Sequence, residues 1–452
     1  MKAAVPRLQC ELNRRPMMSH RPESRTRADV DSTISTYFFS RELTNLTMTR
    51  AALHKGRRRR RSAMQRLLGS FARRSYFMMH ASASVRPAAR HVSTAAPTTT
   101  LRRQPGQMIQ HHAHRRCVRA FAAQPGPIVQ PGPPPAVALV TFTRKGAAKP
   151  SDLTDPDAHE VGIVEGGQWL WPIPRSKYPR GMTQLVAAMH AAGGTDGLDP
   201  VDLLERERAG DPIPLTQVDL LAPIPNPPSL VCVGKNYLEH VGEVDTHMPG
   251  ISKTAPPALP IIFTKAPTAV TGPGGGIVFP AGVTHEVDYE GELGVVIGKG
   301  GKAIAKEDAF DHVFGYTVIN DVTARDVQKR HQQWYLGKSF DGFAPCGPWI
   351  VPKRALVDSE GGCDPQKLLI GTTVNGDRRQ GSDTGQMIFD IRTLIETVSR
   401  CMTLRPGDII ATGTPAGVGA GMDPKGWLKV GDVCEVTVSG VGTLSNPVVD
   451  WQ

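Results

Sequence analysis

Between Glu42 and Asp152 the chain carries no acidic residue, while arginine recurs among serine, alanine, threonine and proline. A one-sign, low-hydrophobicity stretch buries too little apolar surface to offset the entropy of ordering it, so a folded core must lie in the remainder. Residues 1–150 hold 28 Lys+Arg against 5 Asp+Glu; subtracting from 53 and 42 leaves 25 against 37 for residues 151–452, so a net of +23 gives way to −12. The overall +11 therefore belongs to the N-terminal part, and the body of the protein is acidic.

That composition is the one expected of a mitochondrial presequence. Met64–Met79 reads as a basic amphipathic helix, and Ser93–Ala96 begins the small-residue stretch where such segments end. The run Arg57–Arg61 has a competing reading as a nuclear signal or nucleic-acid patch. A protein that binds nucleic acid through this N-terminus would do so with strong salt dependence. The folded part lacks a basic patch interleaved with aromatics, so no nucleic-acid partner is expected. Gln124–Pro135 (QPGPIVQPGPPP) reads as a Pro/Gly linker. Residues 1–135 are thus expected to be a disordered basic extension addressed to the mitochondrial matrix, with folded protein beginning near Ala136. No run approaches the ~20 apolar residues of a membrane span. Seven scattered cysteines without a C-x-x-C pair point to a reducing compartment, with neither a disulfide framework nor a thiolate zinc site.

Two folded regions are expected. In residues 136–227, Val137–Phe142 and Glu160–Val164 have strand character and Met182–Ala192 has helical spacing, a small α+β region. Pro223–Pro228 punctuates the chain, and residues 228–452 follow as a strand-rich domain. Its expected strands are Leu230–Val233, Ile261–Thr264, Glu286–Ile297, His312–Asn320, Asp408–Thr412 and Asp432–Val438. Helical patterns at Val322–Leu336 and Ile391–Met402 are too few to alternate with these strands, which excludes a parallel βαβ sheet. The fold class is mainly β to α+β.

The densest chemistry lies in Glu286–Ile297 (EVDYEGELGVVI). On a strand Glu290 and Glu292 share a face, and Gly291 between them admits a close backbone. Two carboxylates on one face repel unless a cation lies between them, although E-x-E alone also describes two glutamates on a solvated edge. Asp321, at the end of the apolar run Phe314–Asn320, is placed to complete an oxygen-only site. Such ligands suit Mg²⁺, Mn²⁺ or Ca²⁺ and not zinc. Asp326 reads as a first-turn helix residue. Thr271–Gly276 lacks the G-K-[ST] ending of a phosphate loop, and His285, His312 and His331 have no partner at metal-ligand spacing.

The series Val231–Tyr237, His240–Glu243, Asp288–Glu292, Asn320–Asp326, Leu336–Asp341 and Ala411–Pro415 resembles, in order and spacing, the fumarylacetoacetate hydrolase family over residues 229–452. The region around Met182-Thr183 is similar to the N-terminal piece of a mitochondrial branch of that family, the domain-containing-protein-2 or oxaloacetate tautomerase branch. The resemblance implies a mixed β-sandwich roll, a divalent metal on Glu290, Glu292 and Asp321, and a homodimer. It makes His240 and Glu243 the general-base pair on a segment that closes over substrate, and Lys338 the cation for a developing negative oxygen. Thr414 would offer its hydroxyl and nearby backbone donors to a carboxylate, and Lys235, Lys265 and Gln328 fall where relatives line the pocket. Lys235 stands where relatives often have arginine, so a bidentate fork is lost. The implied activity is enolate chemistry on a small 2-keto acid bound to the metal, with oxaloacetate enol–keto tautomerisation favoured. Acylpyruvate-type C–C hydrolysis and 2-hydroxy-dienedioate isomerisation use the same parts and stay open.

Overall fold

The computed structural model describes residues 129–130, 132–146, 155, 158–193, 200–207, 210–247, 256–358, 361–362 and 364–451. The expected presequence helix, the Arg57–Arg61 run and half of the linker lie outside the described residues. The first strand, β1 (Val137–Arg144), starts one residue past the expected start of folded protein, and is followed by β2 (Glu160–Glu165), β3 (Trp169–Pro172) and the helix α1 (Met182–Gly193).

Beyond them come β4 (Leu230–Gly234), α2 (Leu238–His247), β5 (Ile261–Thr264), β6 (Gly291–Ile297) and β7 (Val313–Asn320). The chain continues through α3 (Arg325–Arg330), α4 (Tyr335–Lys338), β8 (Ala344–Pro352), β9 (Leu369–Val374) and β10 (Asp377–Asp383). It ends with α5 (Ile391–Cys401), β11 (Ile409–Ala411), β12 (Val433–Val438) and β13 (Gly442–Asp450).

One mixed sheet runs β3-β2-β1-β8-β7-β6-β11-β4-β5, and a second, five-stranded sheet runs β10-β9-β12-β13 with Ile277–Phe279 on its edge. Every residue of β6 and β7 is buried, which is why both read as continuous apolar runs without alternation. The division at 227/228 is a change of sequence pattern, not of sheet: β1 pairs antiparallel with β8, with Leu139 opposite Ile350. Strand β8 escapes sequence reading because Pro345, Pro348 and Pro352 argue against a central strand.

Two expected elements are corrected. Glu286–Ile297 is not one strand. Val287–Asp288 pairs with Thr323–Ala324, β6 pairs with β7, and between them regular pairing lapses at Glu290 and Asp321, where the Asp321 N–H still donates to the Glu290 carbonyl (2.8 Å). Side-chain amides take over the missing ladder bonds there: the Glu290 N–H donates to Asn320 Oδ1 (2.9 Å) and the Gly291 N–H to Gln380 Oε1 (3.0 Å). Val322–Leu336 is likewise not one helix but α3 and α4, with residues 331–334 between them. A continuous helix would carry Lys338 about 20 Å along its axis from Arg325. Folding back is permitted by Gly337, where a Cβ would lie 2.6 Å from the Gln328 nitrogen.

Helix α5 starts at its expected residue and ends one short of the expected end, and Asp390 caps it: the carboxylate accepts the Thr393 N–H at 2.7 Å. Burial alone would raise the Asp390 carboxyl, but the Thr393 hydroxyl and N–H together with Lys306 outweigh it and hold it below its ordinary value. Asp390→Ala should cost about 1 kcal/mol in urea unfolding at neutral pH with an unchanged m-value. Because the folded carboxyl is depressed, this contribution is present above the ordinary aspartate range and fades as pH falls through the depressed value. An equal difference between the two proteins at neutral and strongly acidic pH would disprove the assignment.

Candidate metal centre

The lapse in pairing at Glu290 and Asp321 brings together three carboxylates from three backbone positions. One oxygen each of Glu290, Glu292 and Asp321 lies within 4.8 Å of the others, and all three residues are buried. Glu292 accepts the Gly413 N–H (2.8 Å). Lys338 Nζ donates to Glu290 Oε2 (2.6 Å) and Asp321 Oδ2 (2.8 Å). Arg325 spans Asp288 (Nε to Oδ2, 2.8 Å) and Glu290 (Nη1 to Oε1, 2.7 Å).

The titration shifts follow this wiring. Burial pushes Glu290 up, but the combined pull of Lys338, Arg325 and His240 outweighs it and holds the carboxyl well below the usual range. For Glu292, burial and then the charges of Asp321 and Glu290 outweigh the smaller opposing pull of Lys338 and the Gly413 N–H and push it well up. Burial opposes the charge on Lys338, yet Asp321 and Glu290 keep its pKa raised. With all groups ionised, Asp288, Glu290, Glu292 and Asp321 face Lys265, Lys338 and Arg325, one negative charge in excess. A divalent cation would turn that excess into one net positive charge, suited to an anionic ligand. The donor set therefore fits a hard oxygen-seeking cation, with Glu290, Glu292 and Asp321 as the residues that would hold it.

Across the pocket stands the His–Glu pair. Lys235 takes a left-handed backbone (φ 56°), which non-glycine residues adopt rarely, and turns the chain from β4 towards α2. Asn236 pins the turn, donating to the carbonyls of Thr412 (2.8 Å) and Phe389 (3.0 Å). His240, buried on the first turn of α2, meets Glu243 through Nδ1 to Oε2 at 3.1 Å. The Gly417 N–H donates to the other Glu243 oxygen (3.1 Å), and a Cβ at Gly421 would overlap Glu243 Oε1 at 1.8 Å. The glycine-rich segment thus lets the loop close on the carboxylate that orients the imidazole.

The remaining expected residues fall in different places. Lys235, Gln328 and Thr414 line the same pocket as His240, Glu290, Glu292 and Lys338. Lys265 does not line it. Its fully buried ammonium is hydrogen-bonded to Asp321 and to the Val322 carbonyl (2.9 Å), so it steadies a carboxylate of the cluster. Lys338 lines the pocket and also donates to two carboxylates, which engages two of its three N–H donors. The Thr414 hydroxyl proton goes to the Gly291 carbonyl (3.0 Å), while Gln380 Nε2 donates to its oxygen (2.7 Å). The hydroxyl therefore has no proton left for a carboxylate.

Sequence reading missed Arg325, Asp288, Gln380 and the aromatic wall of Phe263 and Trp334, whose rings meet edge-on at 5.3 Å. Arg325 opens α3 and reaches back more than thirty residues to Asp288 and Glu290, so no local spacing pointed to it. Asp326 is a first-turn residue as expected, accepting the Val327 N–H at 2.8 Å. His312 is structural, with Nδ1 2.7 Å from the Lys299 carbonyl oxygen. The described cysteines 232, 346, 401 and 434 are free. Among the described residues no helix is long and apolar enough to cross a membrane.

A buried three-carboxylate cluster facing a His–Glu pair across one pocket is the site of a metal-assisted enzyme. Residues 229–449 match the model of the fumarylacetoacetate (FAA) hydrolase C-terminal region, and the chain belongs to the fumarylacetoacetate hydrolase family. It is 49% identical over 235 residues to oxaloacetate tautomerase YisK of Bacillus subtilis, covering 52% of this chain and 74% of that protein. It is 45% identical over 236 residues to the mitochondrial oxaloacetate tautomerase fahd2 of Xenopus laevis, covering 52% and 69%. Among solved structures it resembles a fumarylacetoacetate hydrolase of Exiguobacterium antarcticum (TM-score 0.54, 38% identity), covering 70% of this chain and all of that one. It also resembles a 2-hydroxyhepta-2,4-diene-1,7-dioate isomerase of Mycobacterium marinum (TM-score 0.50, 34% identity; 70% and 98% covered).

Proposed function

We propose that the protein is a Mg²⁺- or Mn²⁺-dependent oxaloacetate enol–keto tautomerase, acting as a homodimer in the mitochondrial matrix. The observation that carries the chemistry is the Glu290–Glu292–Asp321 cluster, two of whose carboxylates line one pocket together with His240, the partner of Glu243. The substrate assignment is supported by the two relatives named oxaloacetate tautomerase. The acid-free, arginine- and serine-rich N-terminal sequence supports the compartment.

Tautomerisation takes one proton from the enol oxygen and places one on the neighbouring carbon, with no net change in composition. The cation, when bound, draws electron density from the 2-oxygen and so stabilises the enolate. Lys338, held between Glu290 and Asp321, adds positive charge beside that oxygen. His240 is placed to carry the proton, and Glu243 fixes which ring nitrogen faces the pocket. Phe263 and Trp334 wall one side of the pocket.

Enol-oxaloacetate mixed with metal-stripped protein should lose its absorbance at the solvent rate, and Mg²⁺ or Mn²⁺ should accelerate that loss by about 100-fold or more without pyruvate release. Metal-independent loss, or no acceleration, would refute the assignment. Release of pyruvate from acetylpyruvate would move it to C–C hydrolysis. Isomerisation of a 2-hydroxy-dienedioate, the second reading, is supported by the likeness to the Mycobacterium marinum enzyme.

A further inference from the structure

We infer that Gln380, on β10 of the second sheet, is a positioning residue that holds the metal-carrying segment and the Thr414 loop in register and sets the direction of the Thr414 hydroxyl. It is 2% exposed and does not line the pocket. Its side-chain oxygen accepts the Gly291 N–H (3.0 Å) and the Thr372 hydroxyl (2.7 Å), while its amide nitrogen donates to Thr414 Oγ1 (2.7 Å) and the Pro415 carbonyl (2.8 Å). These four bonds use the whole capacity of a primary amide. Turning the amide over would set N–H against N–H at Gly291 and oxygen against oxygen at Pro415, so only one orientation is compatible with the network.

Gly291 lies between Glu290 and Glu292, and both of its backbone polar groups are tied to this assembly: its N–H to Gln380, its carbonyl to the Thr414 hydroxyl (3.0 Å). Nothing larger than glycine fits, because a Cβ would lie 2.4 Å from Thr372 Oγ1 and 2.8 Å from Val436 Cγ1. Any movement of Gln380 is therefore transmitted to two carboxylates and a pocket-lining hydroxyl at once. The Thr414 hydroxyl accepts from Gln380 and donates to Gly291, so towards the pocket it is an acceptor. It would suit a ligand oxygen that still bears its proton, such as an enol. That last step rests on the proposed function; the positioning role does not.

Two variants test the role. Gln380→Glu keeps the shape and the acceptor for Gly291 but loses both donors, and Gln380→Met removes all four bonds. Thr372→Val, which touches Gln380 but not Thr414, is the control. Calorimetry with Mn²⁺ and then glycolate, a chelating ligand whose hydroxyl oxygen keeps its proton, should show glycolate binding weakened about 10-fold or more in both variants and within about twofold of wild type in Thr372→Val. Mn²⁺ should bind Gln380→Glu no more weakly than wild type. Crystals of Gln380→Glu should show the Thr414 side chain rotated away from Gly291. Wild-type glycolate affinity in both variants, or equal losses in all three, would overturn the inference. If the wild type took up neither Mn²⁺ nor glycolate, the proposed function would fall, and the crystals alone would decide Gln380: an unmoved Thr414 would overturn it.

Discussion

Glu292→Gln is expected to abolish useful divalent-metal binding and, in the same protein, to make the metal-free form more stable. Glu292 is 1% exposed, its carboxylate accepts the Gly413 N–H, and Lys338 contacts Glu290 and Asp321 instead. Burial and the charges of Asp321 and Glu290 push its carboxyl up, so ionising it in the folded protein is costly. Glutamine keeps the acceptor for Gly413 and removes the charge. At separations below 4.8 Å and an effective dielectric constant near 20, each like-charge pair costs roughly 3–4 kcal/mol before the opposing pull of Lys338 and the Gly413 N–H, so the net relief is on the order of a few kcal/mol. The sign with pH follows. A carboxyl raised in the folded state contributes stability that is present below the ordinary glutamate range and lost as pH rises through the raised value. The stability gap between variant and metal-free wild type should therefore widen with rising pH, and Mg²⁺ should close it by stabilising the wild type alone. Mn²⁺ affinity should fall by about 100-fold or more, since loss of mere supporting partners already costs 10–100-fold. Scanning calorimetry in chelator and titration with Mn²⁺ read both effects. A less stable metal-free variant, or Mn²⁺ bound as in wild type, would show that the cluster is not a cation site.

How much of this was legible in the sequence depends on the range of the interaction. Local patterns carried well: Ile261–Thr264 is a strand over the expected residues, and α5 ends one residue from its expected boundary. The carboxylate set was legible because Glu290 and Glu292 are two residues apart and Asp321 ends a strongly apolar run. What failed was continuity. The ladder breaks at Glu290 because Asn320 and Gln380 supply side-chain amides in place of backbone partners, and Gln380 lies 89 residues from Gly291. The helix breaks before Trp334, whose ring packs over Gly234 and Phe263 on other elements. Neither event leaves a periodic trace. What no lysine-bearing motif announces is the ion pairing: Lys265 away from the pocket lining and Lys338 on it both offset the charge of the carboxylates.

That use of Lys338 leads to the other large effect. Lys338→Met should destabilise the metal-free protein by about 3 kcal/mol and cut enol turnover by about 100-fold or more, with Mg²⁺ restoring the first and not the second. The ammonium is 2% exposed, 2.6 Å from Glu290 and 2.8 Å from Asp321, with the Phe263 ring centroid 5.0 Å away. Methionine fills much of the stem's volume, so the loss is electrostatic more than steric. Removing one partner of a buried ion pair costs roughly 3–5 kcal/mol because the other charge is left unpaired. The low end applies because Lys265 still holds Asp321 and Arg325 still holds Glu290. A divalent cation supplies the missing charge, so the rise in melting temperature on adding Mg²⁺ should be larger in the variant than in the wild type. It cannot supply a hydrogen-bond donor at the position of Nζ, so the rate stays low even at saturating metal. Equal Mg²⁺-induced shifts in the two proteins would mean that Lys338 does not compensate the carboxylates. Recovery of turnover together with stability would mean that its part in the reaction is only to hold them.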